Sequence, residues 1–247
     1  VVNKLKQLGY DIKGKIVDFS EYGVPQKRQR YILVGTKKDN AENFFDLLVQ
    51  NKVTFFKSKN FEKDTVSLSD AISDLLQSHG TKESPDTKNF RAGIYAKATT
   101  SYQKLMRKDK NLTKKVASSH RFANHKKETI EKFQYILEFG RANKNISDEI
   151  KAKYNIKKRT VVPLCSNSPT PTLTTLPDDY IHYCEPRILT VREYARIQSF
   201  PDSYEFKGGY TTGGDRRKSD VPRYTQIGNA IPPLFAEQAG LVLKDMI

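Results

Sequence analysis

Arg187-Ile188-Leu189-Thr190-Val191-Arg192-Glu193-Tyr194-Ala195-Arg196-Ile197-Gln198-Ser199-Phe200-Pro201-Asp202 carries its own punctuation. Thr190 followed three positions later by Glu193 is a capping box, so a helix starts there and runs to about Ser199, where Phe200-Pro201 stops it. Arg192 and Arg196 stand at i, i+4 on one face of that helix, with Glu193 three before Arg196. Two neighbouring cations want an anion. A second stretch, Tyr224-Thr225-Gln226-Ile227-Gly228-Asn229-Ala230-Ile231-Pro232-Pro233, leads into the last helix, because proline suits a first helical turn. That helix is expected to bury Phe235, Ala239, Val242 and Met246 at i, i+4, i+7, i+11. Gly228-Asn229, just before it, offers a tight turn and backbone donors beside a positive helix end, a cradle for a ligand that carries a carboxylate.

Toward the amino end, Val1, Leu5 and Leu8 make a helical stripe that Gly9 is placed to end, so the chain is expected to open inside a helix and to be trimmed there. Lys15 to Phe19 and Tyr31 to Gly35 are β-rich runs joined through Tyr22-Gly23-Val24-Pro25, and they predict two neighbouring strands. Asn40 to Gln50 predicts a helix, and Ser67 to Leu76 another, with Ser69 as its cap. Between the strands lies Gln26-Lys27-Arg28-Gln29-Arg30, where strand alternation points Arg28 and Arg30 to the same side. Such a pair either holds a phosphate, carboxylate or carbonyl oxygen through planar donors or is a solvated strand edge. Residues 78 to 160 are polar and basic, with one apolar stripe from Lys127 to Phe139 (Ile130, Phe133, Ile136, Leu137). Pro163, Pro169, Pro171 and Pro177 then predict extended, irregular chain. Gly208-Gly209 and Gly213-Gly214 flank a turn leading to Asp215-Arg216-Arg217-Lys218, read as a flexible basic loop or a plain solvated turn.

Composition narrows the class. The 247 residues carry a net charge of +15 and a pI near 9.6, which either marks a polyanion partner or reflects solvated lysine-rich surfaces. The segment from Arg91 to Lys127 favours the polyanion. Its basic residues are Arg91, Lys97, Lys104, Arg107, Lys108, Lys110, Lys114, Lys115, Arg121, Lys126 and Lys127, against the single acid Asp109, with Tyr95, Tyr102 and Phe122 interleaved. No apolar run approaches the ~20 residues of a membrane span, and no segment reads as a signal peptide. The expected location is the cytoplasm, with Cys165 and Cys184 as free thiols. His120, His125 and His182 show no spacing that supports a zinc site with them.

Three blocks, Gln26 to Arg30, Arg187 to Asp202 and Tyr224 to Pro233, together resemble the last three conserved blocks of the DNA (cytosine-5) methyltransferases, in that family's order. The resemblance covers roughly residues 1 to 36 and 160 to 240. It implies a mixed α/β chain: part of a doubly wound methyltransferase sheet (1–77), a loop-rich α+β target recognition domain (78–186) and a return segment with the final helix (187–247).

The same resemblance implies roles. The first block lines the pocket that receives an extruded cytosine, so Arg30 matches the arginine that donates to the base O2, Arg28 the one that orders the pocket and its acidic partner, and Gln26 the glutamine of that block, expected at the DNA. Pro171-Thr172-Leu173-Thr174 matches the Thr-Leu pair of the recognition region, with Thr172 expected at a phosphate. Lys114, Lys115 and Arg121 are expected at the DNA as well. Asn229 and Ala230 are expected to close over S-adenosylmethionine, while Arg192, Arg196 and Gln198 are expected to be structural or phosphate-facing. The family's glycine-rich cofactor strand, Pro-Cys nucleophile and Glu-Asn-Val block precede Gln26 to Arg30 and are not found in this sequence. Glu42-Asn43-Phe44 lies downstream and has the wrong third residue, and neither cysteine follows a proline. The expectation is therefore the carboxy-terminal portion of a restriction-modification type enzyme acting on double-stranded DNA. It would be inactive without the amino-terminal catalytic half; the alternative is a non-catalytic specificity subunit of a split methyltransferase.

Overall fold

The computed structural model of the chain describes residues 1–37, 40–108, 115–211 and 220–246. Helix α1 (Val2–Gln7) ends at Leu8, and Gly9 takes φ 81° to turn the chain into β1 (Asp11–Asp18). Strand β2 (Gln29–Thr36) pairs with β1 antiparallel over its whole length, Asp11 opposite Thr36 and Asp18 opposite Gln29. The expected strand pair is present, with both members longer than their apolar centres. Gly23, at φ 79°, caps the short 3-10 turn Phe19–Tyr22 between them in the left-handed region that favours glycine.

Helix α2 (Ala41–Ser58) is capped by Asn40, whose side chain accepts from the Glu42 amide. It continues eight residues beyond the expected end, because Phe55 and Phe56 extend the buried stripe of Phe44, Phe45 and Leu48. Helix α3 (Leu68–Ile72) starts at a capping box made by Ser67 and Asp70. The expected cap, Ser69, is already inside the helix. Ser67 satisfies the Asp70 amide three residues on, which Ser69 cannot do for this turn.

Strands β3 (Thr81–Glu83), β4 (Arg91–Ile94) and β5 (Val116–Arg121) form an antiparallel sheet in that order, with α4 (Ser101–Met106) between the last two in sequence. Helix α5 (Lys127–Phe139) matches its apolar stripe and α6 (Asp148–Lys153) follows. Phe133, Ile136, Ile146, Ile150, Val161 and Ile181 make a small separate core there. Strands β6 (Val162–Pro163) and β7 (Tyr180–Ile181) are a short parallel pair inside the proline-rich stretch. Helix α7 (Val191–Ile197) starts at the Thr190–Glu193 capping box, and α8 (Arg223–Asn229) leads into α9 (Pro233–Asp245), which has proline at its start. Phe235 and Val242 of α9 are buried, Ala239 and Met246 half-buried against the same core.

The mixed α/β class holds. One large hydrophobic core draws on β1, α2, α3, α4, α7 and α9, so residues from all three expected segments share it. Among the described residues, no helix is long and apolar enough to cross a membrane.

Candidate functional site

The site is built where four distant stretches meet. Gln26 forms a parallel bridge with Thr170; the Lys27 amide donates to the Thr170 carbonyl at 2.8 Å, and the Thr170 amide to the Pro25 carbonyl at 3.0 Å. The 170–173 segment therefore lies along the block that leads into β2 like an added strand. The Gln26 carboxamide joins the rest: its Nε2 donates to Gln198 Oε1, and its Oε1 accepts from the Leu173 amide at 2.9 Å. Gln198 in turn donates through Nε2 to the carbonyls of Ile227 at 3.1 Å and Ala230 at 2.8 Å. Gln26, expected at the DNA, is instead fully buried with its carboxamide engaged at both ends. The reason is local: strand pairing with Thr170 turns it inward, where only hydrogen bonding makes a polar side chain tolerable.

Arg28 is the centre of this wall. Its Nη2 donates to the Gly228 carbonyl at 2.8 Å, and its Nη1 to the carbonyls of Leu173 at 3.4 Å and of the Gln26 side chain at 3.3 Å. Its Nε is buried and has no partner among the described residues. Burial, with the nearby Arg30 charge second, pulls the Arg28 pKa down to about 10. The two arginines do lie near each other, as alternation predicts, but they do not converge on one anion. Arg28 is buried among carbonyls, while Arg30 is exposed and donates to the Gln29 carbonyl at 2.7 Å.

Gly228 reaches this wall by close approach rather than by an unusual backbone angle. A Cβ there would sit 2.7 Å from the Thr174 carbonyl oxygen and 3.2 Å from the Thr175 Cα. The expected free turn at Gly228-Asn229 is therefore the last turn of α8, pressed against the 174–175 backbone. Asn229 is exposed and its carboxamide has no partner among the described residues; the Ala230 carbonyl is taken by Gln198.

The helix α7 block is framework. Arg196 donates to Asp202 through Nε at 2.6 Å and Nη2 at 2.8 Å, and to Asp74 at 3.2 Å. Arg192 donates to the carbonyls of Ser118, Pro201 and Tyr204. Arg187 grips both oxygens of Glu193 at 2.8 and 2.7 Å. Carboxylates from within meet Arg196, carbonyls meet Arg192 with Asp202 3.8 Å away, and a phosphate-facing role for both falls away because neither is exposed. Burial alone would raise the Glu193 pKa, but the Arg187 charge outweighs it and holds the carboxyl down at about 2. His120 and His182, fully buried beside this network, are pushed down to about 4 and about 3, chiefly by burial.

The remaining predicted residues are dispersed. Thr172 is exposed at the wall's edge, its hydroxyl donating to the Lys27 carbonyl at 2.7 Å. Lys115 is exposed, and Arg121 is half-buried between the Phe90 and Tyr210 rings. Lys114 and the basic loop 215–218 lie outside the described residues. Cys165 and Cys184 are free thiols, and among the described residues no group of three or more His, Cys, Asp or Glu side chains could hold a metal ion. Gln198, expected to be structural or phosphate-facing, is structural: it is the hub that ties Gln26 to the Ile227 and Ala230 carbonyls, partners that its sequence block does not report.

A mixed α/β chain whose buried arginine wall joins four sequence blocks defines the class, and comparison with known proteins gives the family. The C-5 cytosine-specific DNA methylase family matches residues 1–245, and the chain belongs to it. Type II methyltransferase M.DdeI of Desulfomicrobium norvegicum is 30% identical over 96% of this chain and 55% of its own length. M1.HphI of Haemophilus parahaemolyticus is 27% identical over 99% of this chain and 51% of its own length. The chain thus spans about half the length of these curated relatives. M.AquIB of a Picosynechococcus species is 33% identical over 52% of this chain, yet 88% of that protein is covered. A crystal structure assigned to a DNA modification methyltransferase encoded within an Escherichia coli prophage superposes with a TM-score of 0.63 at 22% identity, covering 97% of this chain and 61% of that one, which speaks to the fold.

Proposed function

We propose that this chain is the carboxy-terminal part of an S-adenosylmethionine-dependent DNA (cytosine-5) methyltransferase, carrying recognition of double-stranded DNA and one wall of the base pocket. The observation that carries the reading is the convergence of Gln26, Leu173 and Gly228 on Arg28, with Gln198 tying Gln26 to the Ile227 and Ala230 carbonyls; Arg28 is a buried arginine with one nitrogen still unpartnered among the described residues. A buried donor of that kind is costly unless a further acceptor arrives. The complete enzyme supplies it, as it supplies the attacking thiol, since no Pro-Cys is found in this sequence.

Within this reading Arg30 is the catalytic residue. Its exposed guanidinium donates to the O2 of an extruded cytosine, where negative charge builds when a thiolate adds at C6. Arg28 and Gln26 are positioning residues that hold the wall, and Thr172, Lys114, Lys115 and Arg121 contact the duplex. S-adenosylmethionine provides the methyl group for C5. The exposed carboxamide of Asn229, without a partner among the described residues, fits that ligand's polar groups, and Asn229 and Ala230 would hold it. The domain division at about residues 77 and 186 and a cytoplasmic location belong to the same proposal.

A second reading, a specificity subunit docking on a separate catalytic polypeptide, is supported by M.AquIB, a relative almost all of which is matched by half of this chain. The test for both is reconstitution: this chain is mixed with a polypeptide that carries the Pro-Cys and Glu-Asn-Val blocks, and methyl incorporation into duplex DNA is measured. Incorporation only from the mixture supports an enzyme part; none with any duplex overturns it. The coding sequence ahead of Val1 separates one polypeptide from two.

A further inference from the structure

Arg121, at the end of β5, is held in a way that no other described arginine is. Its Cζ lies 4.0 Å from the centre of the Phe90 ring and 3.8 Å from that of Tyr210. Among the described residues its guanidinium donates no hydrogen bond and meets no carboxylate. Nε is buried and unpaired, whereas the two terminal nitrogens are not among the buried unpaired atoms and so reach the surface. The neighbouring carboxylate is already engaged: Asp86 accepts from Arg223 at 2.6 Å, from the Tyr210 hydroxyl at 2.9 Å and from Ser84 at 2.9 Å. Arg223 also stacks on Tyr210, 4.4 Å from its centre, and donates to Ser119, so the clamping ring is itself braced.

The surroundings are those of a polyanion face. Lys82, Ala92 and Arg121 stand opposite one another across the three strands β3, β4 and β5, so Lys82 and Arg121 share one side of the sheet. The cleft beside Arg223, about 620 Å³, is lined by Lys82, Lys115 and Lys207, with Asp86 and Glu205 the acids among the described residues that line it. Lys82 and Lys115 are exposed.

We propose that Arg121 is a specificity-determining residue that reads a guanine in the target duplex, donating through its two terminal nitrogens to O6 and N7 while Lys82 and Lys115 hold adjacent phosphates. This rests on the methyltransferase reading above. A phosphate needs only a nearby cation, which the lysines already provide. Clamping the guanidinium plane between two rings adds something different: it fixes the direction of a two-pronged donor, and that geometry matches the guanine edge in the major groove.

The test uses the complete methyltransferase that contains this chain, a library of duplexes randomised around cytosine, and sequencing of the methylated positions. The wild-type target is expected to include a guanine. In Arg121→Ala, preference for guanine at one such position falls at least tenfold, and preferences elsewhere stay within about twofold. Arg121→Lys, which keeps the cation but not the fork, gives the same relaxation and decides the matter should the alanine variant fail to fold. Lys82→Ala weakens binding evenly across sequences and flattens its salt dependence. A target without guanine, an unchanged target in both Arg121 variants, or an even loss across all sequences overturns the proposal. A wild-type enzyme that methylates no duplex overturns the methyltransferase reading itself, and this inference with it.

Discussion

Arg196 and Arg28 are both buried arginines, and their surroundings differ in kind. Arg196 is enclosed by the carboxylates of Asp74 and Asp202, and Arg187 repeats the pattern with Glu193. Arg28 meets peptide carbonyls and one carboxamide, with Nε left over. Removing a guanidinium from water costs several kcal/mol, which opposite charges offset and neutral acceptors offset only in part. The falling pKa of Arg28 is the sign of that shortfall. A guanidinium with every nitrogen engaged from within marks a frame, as for Arg187, Arg192 and Arg196; one with a nitrogen left over marks a surface that something else completes.

The largest expected effect tests the frame. Asp202→Ala leaves Arg196 with the Asp74 carboxylate and the Ala71 carbonyl, removes a partner of Tyr95, and is expected to cost about 3–5 kcal/mol in urea unfolding. A loss below about 1 kcal/mol would show that the frame is not locked by charge. Arg30→Ala tests the other side. In the complete enzyme it is expected to lower turnover about 10²–10³-fold, roughly 3 kcal/mol. Stability stays within about 0.5 kcal/mol, as for other exposed positions, and duplex binding is largely intact. Binding that falls in step with turnover contradicts the assignment.

A smaller effect is expected at the seam between the two regions. Gly228→Ala pushes a methyl group to 2.7 Å from the Thr174 carbonyl oxygen and displaces the carbonyl that Arg28 holds. The expected cost is about 1–3 kcal/mol, with turnover reduced as well; an unchanged melting temperature would mean that the 174–175 backbone yields.

The mildest test is acid. His120 and His182 are neutral in the fold because their pKa values lie below the ordinary 6.5, so the unfolded chain binds more protons between those values. Their contribution to stability is complete above pH 6.5 and is lost as pH falls toward about 4 and then 3. Glu193 adds a second window, complete above 4.5 and lost toward about 2. Urea midpoints measured from pH 7 to pH 4 are expected to decline, and His120→Gln to shrink the decline; a flat profile would show that neither histidine is held neutral.

Elements with local signals were readable in the sequence. The Thr190–Glu193 box, the prolines ahead of α9 and the stripe of α5 each depend on residues within one or two turns. The neighbouring β1 and β2 were readable for the same reason, as two apolar runs with a Gly-Pro break between them. Ser67 and Ser69 could not be told apart, because both precede the same apolar face and only the backbone angles choose. The distant partners of the polar and charged groups were not readable, unlike Asp202 and Glu193, which lie six residues from Arg196 and Arg187 in the same block. Asp74 lies 122 residues from Arg196, and Gln198 lies 172 from Gln26. Phe90 and Tyr210 flank Arg121 from opposite sides of it in sequence, and no periodicity reports such a meeting.

The seam between Gln26 and Gln198 is made of carboxamides and peptide carbonyls, none of which ionises. Dissolved ions have little to screen there, whereas they weaken the grip of exposed lysines on any polyanion. On the proposed function, capture of a duplex and the step that follows capture are therefore expected to be separable with common salt: in the complete enzyme the first should decline steeply as sodium chloride is added, and the second, followed in a single turnover on prebound duplex, should stay level.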